Sequence, residues 1–159
     1  ELAAGCDTAM FCLSKGLGAP VGSMLVGDRD TIGEAHRVRK MFGGGMRQAG
    51  VIAAAGLVAF DEVLPRLADD HATARRLGEL LAEIPGIELD LDTVETNILC
   101  CALSDEARIT AGELAAGLAA GGVLVHALGA NLVRLVTHYH ITMEDVEAAA
   151  DAVRRVMVD

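Results

Sequence analysis

Phe11-Cys12-Leu13-Ser14-Lys15-Gly16-Leu17-Gly18-Ala19-Pro20-Val21-Gly22-Ser23 joins two apolar runs of strand length, residues 9–14 (AMFCLS) and 21–26 (VGSMLV), through a lysine, two glycines and a proline. Apolar runs bounded by such turn formers read as strand, tight turn, strand, with Lys15 at the end of the first strand. Glycine beside the lysine lets the backbone lie close to a flat ligand. An exposed lysine is almost fully protonated at neutral pH, whereas partial burial makes the nucleophilic amine accessible. On these residues alone, Lys15 is either a solvated turn lysine or an imine-forming amine.

The lysine is unusual in its own chain. Of the 13 Lys and Arg residues only Lys15 and Lys40 are lysines, so any lysine chemistry has two possible locations. The 159 residues suffice for one domain, or for the end of one followed by a smaller second. Hydrophobic residues make up 52% and aromatics 3%, which predicts a layered core of Ala, Leu, Val and Ile. A net charge of -10 argues against nucleic acid, which needs clustered Lys and Arg. No apolar run approaches the roughly 20 residues that span a bilayer, and the first residues lack a basic leader, so a cytoplasmic protein is expected. Cys6, Cys12, Cys100 and Cys101 form no C-x-x-C pair and read as reduced, largely buried thiols.

Further along, Thr31-Ile32-Gly33-Glu34 fits a capping box opening a helix to about Lys40, which Gly43-Gly44-Gly45 interrupts. A second helix is expected from Met46 to about Leu64, with Arg47 in its first turn. Pro65 then starts a third, with Leu67, Ala74, Leu77, Leu81 and Ile84 at helical spacing until Pro85-Gly86. Strands are expected at residues 87–91 and 97–103, a helix capped by Thr110, strands at 123–126 and 132–137, and a last helix after Thr142. This β-β-α-β-β-α order describes a compact α+β unit. Residues 1–62 hold too few elements to cover their own apolar faces, so preceding sequence is expected to complete a larger domain.

Several side chains have the chemistry of a site. Gly43-Gly44-Gly45 before a helix reads either as a helix break or as an anion site of free N–H groups, with Arg47 beside it. Lys40 either lines that region or is an ordinary surface lysine. Arg134 interrupts an apolar strand and shares a face with Leu132 and Val136. It is therefore either an edge arginine in water or the partner of a carboxylate. His138 and His140 share one strand face without a third metal ligand at suitable spacing, and no metal is expected. His126 and Asn97 fall at strand ends, whereas His36 and His71 fall on helices.

Residues 11–23, FCLSKGLGAPVGS, resemble the cofactor-lysine segment of the low-specificity L-threonine aldolases. Residues 39–48, RKMFGGGMRQ, are similar to that family's RKM-x-GGGMRQ segment, and residues 132–138, LVRLVTH, to its VRLVTH segment. The three occur in the family's order, and the resemblance covers essentially the whole chain. It implies a pyridoxal-phosphate (PLP) enzyme of fold type I, the aspartate-aminotransferase-like fold. The α/β chain would hold the end of the large cofactor domain at residues 1–62 and a small C-terminal α+β domain at 63–159.

The resemblance further implies aldol cleavage of L-threonine or L-allo-threonine to glycine and acetaldehyde. Lys15 would carry the cofactor, Arg47 would reach its phosphate, and Lys40 would line the site. Arg134 would take the α-carboxylate of the amino-acid substrate. Remaining cofactor contacts and the catalytic base would come from the missing N-terminal portion, leaving this chain inactive alone, and a homo-oligomer, dimer or tetramer, is expected. The alternatives are another fold type I PLP enzyme, an aminotransferase or hydroxymethyltransferase, or a non-catalytic anion-binding module.

Overall fold

The structure, a computed structural model, describes residues 3–158. The chain divides into two compact units, Glu1–Leu67 and Ala68–Asp159.

In the first unit, β1 (Thr8–Cys12) and β2 (Ser23–Gly27) form an antiparallel hairpin pairing Thr8 with Gly27 and Cys12 with Ser23. The first strand stops short of the expected Ser14, because Leu13 turns inward to a small core with Leu17, Ala19 and Ala59. Phe60 and Leu67 pack against that cluster, and Phe11 meets Phe60 edge to face at 6.2 Å. Helix α1 (Arg29–Met41) starts earlier than expected. Its cap is Asp28, which accepts hydrogen bonds from the Thr31 N–H at 2.9 Å and the Thr31 hydroxyl at 2.6 Å. These bonds, the hydroxyl's foremost, hold the Asp28 carboxyl below its ordinary range.

Helix α2 (Gly50–Val58) starts later than Met46, because Gln48 adopts a left-handed φ of 51° just before it. Its far end widens into a π turn over Ala59–Val63 and tightens into a 3-10 turn over Leu64–Arg66. Pro65 accounts for that exit, since it has no N–H to continue the helical ladder.

The second unit follows the expected β-β-α-β-β-α order after helix α3 (Leu67–Ala82). Strands β3 (Ile87–Glu88), β4 (Ile98–Leu103), β5 (His126–Ala127) and β6 (Leu132–Val136) form one antiparallel sheet in the order β3-β4-β6-β5. Helices α4 (Ala111–Ala120) and α5 (Met143–Val158) complete it. The core contains Leu77 and Leu81 of α3, Leu99 and Cys101 of β4, Leu114 and Leu118 of α4, Val133 and Leu135 of β6, and Val146 and Val153 of α5.

Two strands are shorter than their apolar patterns predict. β3 ends at Glu88, and Asp90 then caps a 3-10 turn over Leu91–Thr93 by accepting from the Asp92 N–H at 3.0 Å. β5 loses its expected start because Val123 closes α4 instead. Its N–H donates to the Leu118 carbonyl at 2.9 Å, that of Gly122 to Ala119 at 3.1 Å, and Gly122 has φ +85°. This is the Schellman arrangement, which favours glycine at the left-handed position. Thr110 and Glu113 form the expected capping box. Thr142 caps α5 as expected, accepting from the Asp145 N–H at 3.2 Å.

Candidate active site

The loop that joins β1 to β2 is a fixed turn with the lysine on its outside. The Leu13 N–H donates to Gly22 at 2.9 Å, Ala19 to Leu13 at 3.0 Å and Gly18 to the Lys15 carbonyl at 2.8 Å. Leu13 and Leu17, buried on either side of Lys15, anchor it from below. Leu13 is seated against glycine: a Cβ on Gly56 would stand 3.3 Å from its Cδ1, and one on Gly22 3.4 Å. Lys15 therefore stands in the turn beyond the end of β1, with its side chain exposed and its backbone held. The partial burial expected of Lys15 is absent among the described residues of this unit.

The glycine triplet closes a helix rather than opening one. Gly43 has φ +82° and donates to the Lys40 carbonyl at 3.1 Å, and Gly44 donates to Arg39 at 2.8 Å. This second Schellman cap uses two of the three amides expected to be free for an anion. Gly44 and Gly45 also make room for the preceding side chains, since a Cβ would meet Arg39 Cγ at 2.7 Å and Lys40 Nζ at 2.7 Å respectively. Lys40 thus folds back over Gly45. Arg47 is exposed in the turn between the two helices, not in the first turn of the second. The expectation of a helix N-terminus behind Arg47 is corrected accordingly.

In the second unit, Arg134 lies at the centre of β6, opposite Cys100 of β4 on one side and His126 of β5 on the other. Directly paired residues project to the same face of a sheet. Val133 and Leu135 face the core, so Arg134 faces away from it, with Val136, Ile98 and Cys100 also exposed. Arg134 is exposed but stands on a central strand, so it is not the edge arginine that one reading expected. Among the described residues, no Asp or Glu carboxylate forms an ion pair with it. The sheet thus offers a guanidinium on an open, otherwise largely apolar face, a surface suited to a two-point contact with a carboxylate.

The asparagine, histidines and cysteines separate into distinct roles. Asn97 closes the β4–β6 ladder, its side-chain amide donating to the Thr137 carbonyl at 2.7 Å. His138 and His140 lie beyond β6 with their rings edge to face at 5.7 Å, and His140 also meets Tyr139 at 4.4 Å. Among the described residues, no three His, Cys, Asp or Glu side chains are placed to hold a metal ion. His36 is exposed on α1 and His71 is half-buried on α3. All four cysteines are free, and only Cys101 is fully buried. Burial, with a smaller contribution from Cys100, pushes the Cys101 thiol up to about 12. Sequence reasoning missed Thr137 and Asp70, both buried polar residues. The signal for Thr137 was its parity with core-facing Val133 and Leu135.

Residues 1–104 match the model of the beta-eliminating lyase family. The chain belongs to that family. Among curated family relatives, it is 42% identical to low-specificity L-threonine aldolase 1 of Arabidopsis thaliana over 158 residues, 99% of this chain and 44% of that protein. It is 43% identical to the low-specificity L-threonine aldolase of Escherichia coli K12, over 94% of this chain and 43% of that protein. The chain thus spans less than half the length of these relatives. Among solved structures, the serine palmitoyltransferase of Sphingomonas wittichii superposes with a TM-score of 0.77 at 22% identity, covering 98% of this chain and 40% of that one. This beta-eliminating lyase chain therefore has the architecture of fold type I PLP enzymes and carries a portion of it. No helix among the described residues is long and apolar enough to cross a membrane.

Proposed function

We propose that the whole protein is a PLP-dependent carbon-carbon lyase that cleaves L-threonine and L-allo-threonine to glycine and acetaldehyde. The carrying observation is the 42% identity to a low-specificity L-threonine aldolase across 99% of this chain. The residues present fit the cofactor by their chemistry: a primary amine on a backbone-held turn, followed by Gly16 and Gly18, can reach a planar group for covalent attachment, and the burial that frees the amine falls to the portion of the enzyme that this chain does not span. Lys15 holds the cofactor, Arg47 meets its phosphate, and Lys40, folded over Gly45, lines the site. When bound, PLP supplies the electron sink for the Cα–Cβ cleavage.

The chain's own contribution is binding and orientation. Arg134 receives the substrate α-carboxylate through its planar, two-donor edge and so fixes which Cα bond is presented for cleavage. The base that takes the β-hydroxyl proton, and the remaining cofactor contacts, belong to the portion of the enzyme that this chain does not span. That portion, and further copies in a homo-oligomer, are the proposed partners. Their support is the exposed apolar surface of the first unit, where Met10 is 64%, Phe42 86% and Val51 82% exposed. Four free cysteines support a cytoplasmic location.

Borohydride reduction of the full-length protein followed by peptide mapping tests the assignment, alongside assay of acetaldehyde release from L-threonine. A pyridoxyl group on the peptide containing Lys15 and loss of turnover in Lys15→Ala are expected. A pyridoxyl group confined to Lys40, or turnover only with a keto acid as second substrate, would overturn it.

A further inference from the structure

The strand that carries Arg134 is apolar on both faces: Leu132 and Val136 share the outward side with Arg134, while Val133 and Leu135 point into the core. Hydrophobic alternation therefore specifies its register only weakly. A one-residue slip against β4 would drive Arg134 into the core. A two-residue slip would preserve its facing but move it by about 6.6 Å along the sheet, away from its place between Cys100 and His126.

The residue immediately after the strand removes this freedom. Thr137 is 1% exposed, and each of its polar groups is engaged. Its N–H donates to the Asn97 carbonyl at 3.0 Å and its hydroxyl to the Asp70 carbonyl at 2.7 Å. Its own carbonyl accepts from the Asn97 side-chain amide at 2.7 Å. The contact thus joins the end of β6 to the approach to β4 and to the first turns of α3. Thr73 on α3 donates to the same Asp70 carbonyl at 3.0 Å. No residue two places away supplies the same set: Leu135 and Tyr139 lack the short hydroxyl that reaches Asp70.

We propose that Thr137, latched by Asn97 and the Asp70 carbonyl, is the positioning residue for Arg134, holding the guanidinium at one place on the open face of the sheet. The inference rests on the reading of Arg134 as the carboxylate anchor. It assigns Asn97 to the latch and not to substrate contact.

The test uses the full-length enzyme and four variants, Thr137→Val, Thr137→Ser, Asn97→Ala and Arg134→Lys. For each, KM and kcat for L-threonine are measured together with amide hydrogen exchange over residues 132–137. Thr137→Val keeps the shape but loses the hydroxyl, and its KM is expected to rise about three- to tenfold with kcat changed less than about twofold. Exchange over 132–137 speeds up in the same variant, while Thr137→Ser restores both readouts. Asn97→Ala moves KM and exchange in the same direction by less, and it carries the test if Thr137→Val does not fold.

A raised KM in Arg134→Lys with unchanged KM in Thr137→Val overturns the latch alone. Equal KM rises in the Val and Ser variants, or unchanged exchange, overturn it as well. Unchanged KM in Arg134→Lys overturns the carboxylate reading on which it stands.

Discussion

Replacing Gly86 by alanine puts a methyl group where the second unit has no room and the backbone no tolerance. Gly86 has φ +87°, and its added Cβ would stand 2.9 Å from both the N and Cα of Ala107 and 3.0 Å from Met157 Cε. The left-handed conformation costs an L-residue about 1–2 kcal/mol, and forcing a carbon into packed backbone adds about 1–3 kcal/mol. Together these predict a loss of about 2–5 kcal/mol, a large fraction of the roughly 5–15 kcal/mol that holds a typical domain together. The damage also has a direction: the Gly86 carbonyl accepts from the Ser104 N–H at 3.0 Å, just beyond β4. Gly112→Ala is the matched control. Its Cβ meets only the Thr110 hydroxyl at 3.9 Å, and alanine in α4 is expected to leave stability unchanged or raise it by about 0.5 kcal/mol. Urea unfolding of the full-length protein, with hydrogen exchange over residues 98–103, distinguishes the two. A Gly86→Ala midpoint equal to the parent's would refute the packing argument, and equal losses in both variants would refute its specificity.

The two adjacent cysteines should differ in reactivity. A thiol reagent at pH 8 is expected to label exposed Cys100 and spare Cys101 in the folded protein, and peptide mapping showing equal labelling would contradict the burial that raises Cys101 to about 12. Because the folded thiol holds its proton more tightly than an ordinary thiol at 9.0, Cys101's contribution to stability is complete below pH 9.0 and is lost as pH rises toward about 12. Denaturation of Cys101→Ala beside the parent across that window isolates it. Thr110→Ala removes the capping box of α4 and should cost about 1 kcal/mol. The Thr110 bonds, the backbone one first, depress the Glu113 carboxyl, so its share is present above the ordinary 4.5 and lost as pH falls through the lower folded value. A urea series at pH 7 and pH 3 showing the same Thr110→Ala difference would exclude that coupling. In Gly45→Ala, a Cβ 2.7 Å from Lys40 Nζ must displace that amine, so any change in turnover should be shared by Lys40→Met.

How far the sequence was legible depended on whether a local rule competed with a neighbour's. Thr110 and Thr142 cap their helices as read, because a hydroxyl three residues before a carboxylate satisfies itself locally. Thr31 did not, since Asp28 stood three residues earlier and took the same role. The expected strand at residues 123–126 was shortened by the Schellman close of α4, a claim on Val123 that alternation cannot reveal. Gly43-Gly44-Gly45 was the harder case. The sequence allowed a helix break or a helix start, and only φ at Gly43 and the bonds to Lys40 and Arg39 decide for the former. Lys15 stood out by rarity and by the glycines that follow it, Gly16 and Gly18. The latch on Thr137 was invisible because its partners, Asp70 and Asn97, are 67 and 40 residues away in sequence.

The second unit buries one face of a four-stranded antiparallel sheet under its helices and leaves the other face open, as such sheets commonly do. An arginine can sit in the middle of a central strand only under that arrangement, because a guanidinium on the covered face would need a buried counter-charge. The core-facing residues Val133 and Leu135 hold the strand, and Thr137 fixes where along the sheet it is held. Arg134 is then free of any structural ion pair among the described residues, and its donors remain available. Stability and binding are thus assigned to opposite faces of one strand. Substitutions at Val133 or Leu135 should lower stability, those at Arg134 should alter binding without it, and Thr137, on the first face but acting through the second, should change both.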